Sequence, residues 1–326
     1  MKLFKSLLVA PATLGLLAPM TASANEVTIN DFNAAEEIAV TNSRIDGLEA
    51  RFNNLEAGSF SETTTASFGV DFLVGAEDGA ASEAAAFGYQ MGIGLSTSFT
   101  GEDSLDVAID IGDGTSGALA FDDTSDVLTV DGLTYTFPVG GATVMVGDST
   151  DISGVYTGAC AYSSFTDYMG NCGTGSTVGV GGSGVTAAMS YAFDSGFSLA
   201  GGVSSETDSI MTEEGTDIYG IEAAYTADSY GVAVAYSDNE SSTFWGINGN
   251  YAFDFATLSV GVESEDTGST TKEGYFVGLS FPEVGAGSFD IGMGTTGNFS
   301  DTDTETYIYE ASYAYPVNDG MTITPG

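Results

Sequence analysis

The chain has 326 residues, with 45 glycines, 6 prolines, 20 phenylalanines, 16 tyrosines and no histidine, and its 46 acidic against 5 basic side chains give a net charge of −41. That balance argues against nucleic-acid binding, which draws on Lys and Arg for its phosphate contacts, and against basic docking on anionic head groups. Without histidine, the Ser-His and Cys-His forms of nucleophilic catalysis are absent, and paired carboxylates among so many acids are expected by chance, so the chain does not read as an enzyme.

Residues 1–24 open with Lys2 and Lys5, continue through Leu7, Leu8, Val9, Leu14, Leu16 and Leu17, and close on the small residues Ala22-Ser23-Ala24. This is the pattern of a cleaved secretory signal, and its apolar stretch is short for a membrane anchor. In residues 25–57 the apolar positions Ile38, Ile45, Leu48, Phe52 and Leu55 follow a heptad seam, which predicts a short helical or coiled-coil segment. Two to three heptads are marginal alone, and a single amphipathic helix packed on a neighbour fits the same residues.

From Ala66 the apolar period becomes two. Phe68, Val70, Phe72 and Val74 alternate with Gly69 and Asp71. Phe87, Tyr89, Met91, Ile93 and Leu95 alternate with Gly88, Gln90, Gly92 and Gly94, and Leu105, Val107, Ile109 and Ile111 with Asp106, Ala108 and Asp110. The pattern returns in 185–193, 197–203, 219–225, 230–236, 275–281, 289–293 and 307–315. The second side is mostly Gly, Ala and Ser with occasional acids, and aromatics gather at strand ends. A soluble β-sandwich would carry bulky charged residues on that side. Apolar outside, small and polar inside and aromatic ends describe an all-β fold, a transmembrane antiparallel β-barrel over residues 58–326, which must close to satisfy its backbone. Roughly 14–16 strands are expected, enough for an aqueous lumen. No stretch here reaches the roughly 18 apolar residues of a membrane helix.

Two segments stand out. Cys160 and Cys172 are the only cysteines, and an even pair in an exported chain predicts a disulfide. They sit between Val146 and Thr177, in a stretch of unclear alternation whose length suggests a functional loop. Folded inward it would narrow a channel; stapled on the outer surface it would not. The alternating carboxylates Asp301, Asp303 and Glu305 offer weak calcium ligation but lack the turn glycine and distal glutamate of a calcium loop. A solvated hairpin loop is the plainer reading, and no metal or other cofactor is expected.

The stretch RIDGLEARFNNLEAGSFSETTTASFGVDFLVG resembles the cyanobacterial outer-membrane porins, in which a short coiled coil leads into the first barrel strand. The leader and YPVNDGMTITPG are similar to their signal peptides and to the approach to their last strand. The chain departs from that family in two ways. Only Asn25 to about Val40 fills the place of the usual S-layer-homology domain, and the chain stops at Gly326, within the last expected strand, where an aromatic end and a longer strand would be usual. The resemblance implies a homotrimeric porin in a bacterial outer membrane, in contact with lipid and passing small solutes and ions. The polar-phase residues Asp71, Gln90, Asp106, Asp110, Glu222, Asp290 and Glu310 are the expected pore lining, and their charge predicts a modest cation preference. The alternatives are a non-conducting structural or adhesive barrel and a soluble halophilic all-β protein.

Overall fold

A computed structural model describes residues 64–76, 78, 85–113, 124–178, 184–206, 209–212 and 215–326. The expected signal at 1–24 and the helical segment at 25–57, with its seam of Ile38, Ile45, Leu48, Phe52 and Leu55, lie outside the described residues. All described residues fall in one unit, Phe60–Gly326.

The alternating segments become strands of one antiparallel sheet. In chain order they are β1 (Thr64–Gly75), β2 (Ala86–Thr97), β3 (Ser104–Asp113), β4 (Thr129–Val139), β5 (Ala142–Asp148), β6 (Thr186–Ala192), β7 (Phe197–Ser205), β8 (Asp217–Thr226), β9 (Tyr230–Asp238), β10 (Thr243–Ala252), β11 (Thr257–Asp266), β12 (Thr271–Val284), β13 (Gly287–Thr295), β14 (Tyr307–Asn318) and β15 (Met321–Ile323). Spatial order follows chain order from β1 to β15, the up-and-down topology of a transmembrane barrel wall. Most strands span 9–12 residues, close to the roughly 9–11 that cross a bilayer at a tilt. Fifteen strands fall inside the expected count. Among the described residues no ladder joins β1 to β14 or β15.

The sheet is turned inside out relative to a soluble sandwich. Phe68, Phe72 and Val74 are 71, 69 and 72% exposed, and Ile221, Val234 and Ile247 on later strands are exposed likewise. The next residues along those strands, Glu222, Ala235 and Asn248, point to the other face and are buried. The outward face is therefore the apolar one, as hydrocarbon requires. Aromatic rings run around one rim: Phe99, Tyr135 and Phe137; Tyr191 and Phe193; Phe197, Tyr225 and Tyr230; Tyr251, Phe253, Phe255, Phe281 and Phe289. Such a band matches the aromatic girdle of a transmembrane barrel.

The two ends of the strands differ. At the girdle end the connections are tight, such as Gly140–Gly141 between β4 and β5. At the other end they range from four residues, at 239–242 and 267–270, to the longest, 149–185.

Candidate functional site

The long connection between β5 and β6 lies on the small-residue face, which settles the choice left open by the sequence. Its irregular backbone carries two 3-10 turns, Ile152–Val155 and Asp167–Gly173, and a helical turn at Gly175–Val178. Asp151 opens the first of these, its carboxylate accepting the Ser153 amide at 2.6 Å, which satisfies a donor the turn leaves free. Cys160 and Cys172 form a disulfide, with Cα atoms 5.6 Å apart. Asn171 and Cys172 both take positive φ, at 51° and 55°, which makes the sharp reversal that brings Cys172 back towards Cys160.

Apolar contacts seat the loop in three places. Ile152 packs with Met145 of β5, Ala188 of β6, Ile218 of β8 and Phe244 of β10. Ala159 packs with Ala224 of β8 and Ala233 of β9. Met169 and Cys172 pack with Phe276 of β12. Inward glycines make the approach possible. A Cβ built at Gly261 would collide with the carbonyl oxygen of Cys172, one at Gly278 would come 2.5 Å from the Tyr162 ring, and one at Gly246 would come 3.1 Å from the Thr177 hydroxyl. Bare backbone on the wall is what lets a second backbone lie against it.

Polar anchors run between these contacts. Glu222 of β8 accepts the amides of Thr157 at 2.6 Å and Gly158 at 3.2 Å. Asn248 of β10 accepts the Ala159 amide at 2.8 Å, and Asn250 donates to the Ala159 carbonyl at 2.8 Å. Ser259 of β11 accepts the Ala161 amide at 3.3 Å. Glu310 of β14 accepts the Phe165 amide at 3.0 Å and the Thr166 amide and hydroxyl at 2.9 and 2.6 Å. Glu263 of β11 accepts the Thr177 amide at 2.5 Å and the Asn298 side chain at 2.9 Å. The described side chains the loop leaves exposed are Thr157, Ala161, Ser163, Ser164, Tyr168, Asn171 and Ser176, none of them charged.

The expected lining residues all fall on the inward phase, but in two groups. Glu222, Asp290 and Glu310 are buried, at 3, 7 and 7% exposure. Glu222 and Glu310 hold the loop, and Asp290 faces Ser280 and Ser312 across the ladders of β12 and β14. Asp71, Gln90, Asp106 and Asp110 lie on β1–β3, where among the described residues the loop makes no hydrogen bond. Gln90 donates to Asp71 at 3.2 Å and Ser104 to Asp106 at 2.7 Å, and Asp110 stands opposite Gly92. Glu263, Asn248 and Ser259 belong to the same site and were not among the expected residues. Their signal was available, since Glu263 and Ser259 sit in the polar phase of LSVGVESE.

Outside the strands, Asp303 caps its own loop by accepting the amide and hydroxyl of Ser300 at 2.9 and 2.8 Å. Those bonds hold its carboxyl below the ordinary range. Glu305 accepts the Tyr307 hydroxyl. These carboxylates are spent on local structure, and among the described residues no three metal-binding side chains gather at one point.

No family model matches the chain, and no curated protein matches it at a significant level. Solved structures do. A variant of the Rhodopseudomonas blastica porin is similar over 80% of this chain and 92% of its own, at 15% identity and a TM-score of 0.53. Another variant of that porin matches with the same coverage at 14% identity and a TM-score of 0.51. At such identity the likeness establishes the fold: this chain has the architecture of a bacterial porin barrel.

Proposed function

We propose that this protein is a porin of a bacterial outer membrane, passing small solutes and inorganic ions by diffusion through a water-filled lumen. The observation that carries this reading is the inward loop, described over 149–178 and anchored on the wall from β8 to β14, while among the described residues none of its hydrogen bonds falls on β1–β3. A barrel so built needs no moving part. The loop sets the width, and the side chains across from it meet the solute. Asp71, Gln90, Asp106 and Asp110 are the proposed lining on that wall. With no described basic side chain inside except Lys272, which pairs with Glu265 at 3.2 Å, the lumen favours cations modestly. The preference weakens with salt, because an exposed charge acts over only about 10 Å at 0.1 M and less above it.

Outward exposure of Phe68, Phe72 and Val74 weighs against a soluble halophilic protein, since apolar area of this extent demands lipid or a partner. The family resemblance and the seam from Ile38 to Leu55 extend the proposal to a homotrimer and to an exported chain whose leader is removed.

The test is purified full-length protein in planar bilayers. Stepwise, ohmic conductance with a cation-selective reversal potential at low salt is expected. Absence of conductance would leave a structural barrel as the better reading, and an anion-selective potential would remove the lining assignment. Light scattering in detergent tests the trimer, and a monomer only would end that part of the proposal.

A further inference from the structure

Three carboxylates under the loop share one arrangement. Glu222, Glu263 and Glu310 are 3, 2 and 7% exposed, and each stands on the inward phase of β8, β11 or β14. Each receives main-chain amides of the loop: Thr157 and Gly158, Thr177, and Phe165 with Thr166. Lys272 and Glu265 form an ion pair elsewhere, so no described cation neutralises the three. A buried carboxylate without a cation is costly unless hydrogen bonds replace its water. Here the replacement donors are backbone amides, whose directions are fixed by the fold of the loop.

On the pore reading above, we propose that Glu222, Glu263 and Glu310 are positioning residues for the constriction, and that they act through the loop and not on the solute. The disulfide ties the loop to itself at 160 and 172. The carboxylates tie it to the wall on either side of those points, at 157–158, 165–166 and 177. Amides would not serve as well. Glu310 takes three donors, one on Oε1 and two on Oε2. A glutamine there keeps one acceptor and turns an NH2 group towards an N–H.

The experiment uses full-length protein carrying Glu222→Gln or Glu310→Gln, with a tether as the deciding control. A Cβ at Gly231 would lie 3.4 Å from that of Ala159, close to disulfide range. The pair Ala159→Cys with Gly231→Cys can therefore pin the loop beside Glu222, once the Asn250 amide, 3.1 Å from that Cβ, gives way.

Loss of a charge-assisted bond should speed hydrogen exchange of the loop amides roughly 10- to 100-fold. Amides of β1–β4 should stay protected, which shows the barrel intact. Open-channel noise should rise in both variants. In Glu222→Gln the oxidised tether should return the noise to that of the wild type, because it restores the loop's place but not the lost charge.

Unchanged exchange in both variants would overturn the proposal. So would excess noise that survives the tether, since the carboxylate would then act by its charge on the permeating ion. A wild-type chain that fails to conduct would defeat the pore reading instead, and the exchange measurement would still decide whether these carboxylates hold the loop.

Discussion

The wall of β8–β14 and the wall of β1–β3 are built from the same alternation and put to opposite uses. Both turn apolar residues outward, and both set Gly, Ser and acids inward. On the first wall Gly246, Gly261 and Gly278 are filled by the loop, and Glu222, Glu263 and Glu310 accept its amides. On the second wall a Cβ built at Gly69 would meet nothing within 4 Å, and the Asp71 side chain is exposed. One residue pattern therefore carries two meanings, a seat for backbone or a surface for water, and what separates them is the presence of a second chain segment.

The sharpest way to break that comparison is to add one methyl group to each wall. Gly261→Ala should cost about 1–3 kcal/mol through overpacking, because its Cβ would collide with the carbonyl oxygen of Cys172, which is backbone and cannot swing aside. Gly69→Ala should be near neutral. Thermal unfolding in detergent checks the first difference. Exchange of the loop amides checks whether the loop is lifted in the first variant only. Equal effects from the two substitutions would mean that the walls are not distinct.

How far the sequence revealed this follows from the same contrast. β1, β2 and β3 were legible because long runs such as Phe68 to Val74 keep strict alternation. β10 was missed because Phe244 breaks the phase: it is a large apolar residue turned inward, buried against the loop, next to the outward Trp245. β4 carries a register shift opposite Ala108 and Ile109 and a proline at 138, which blur its period. The Cys160–Cys172 pair and the loop's length pointed to an ordered segment. Its side of the sheet did not follow, since nothing local distinguishes a glycine that faces a chain from one that faces water. For the same reason Glu222, Glu310 and Asp106 read alike in sequence, although only the first two lie under the loop.

A smaller effect is expected from charge on the wall of β1–β3. Asp106→Asn with Asp110→Asn should move the low-salt reversal potential towards zero while leaving loop exchange unchanged, the reverse of the pattern expected for Glu222→Gln and Glu310→Gln. Rings of acids favour cations by concentrating them, but exposed charges are screened, so the shift should shrink as salt rises. A salt-independent shift, or none at low salt, would take these two residues out of the lining.

The smallest effect lies at the girdle end, far from the loop. Asp103 closes the turn between β2 and β3 by accepting from Ser98, from the amides of Phe99 and Thr100, and from the Thr100 hydroxyl, all within 2.9 Å, and its second oxygen accepts the Tyr135 hydroxyl at 2.7 Å. The Tyr135 bond above all, then those from Thr100 and Ser98, holds the carboxyl well below the ordinary carboxylate range, against the contrary pull of burial. A depressed value means that the folded turn favours the ionised form. Its contribution is in full force above the unfolded carboxylate value of about 4 and is lost only as pH falls through the lowered one. Exchange at Phe99 and Thr100 should therefore stay slow, relative to the intrinsic rate, through mildly acid conditions in the wild type. Asp103→Asn should loosen both amides at every pH, and Tyr135→Phe should raise the pH at which protection is lost. Loosening already near pH 4 in the wild type would show that Asp103 titrates normally and that the turn is held by something else.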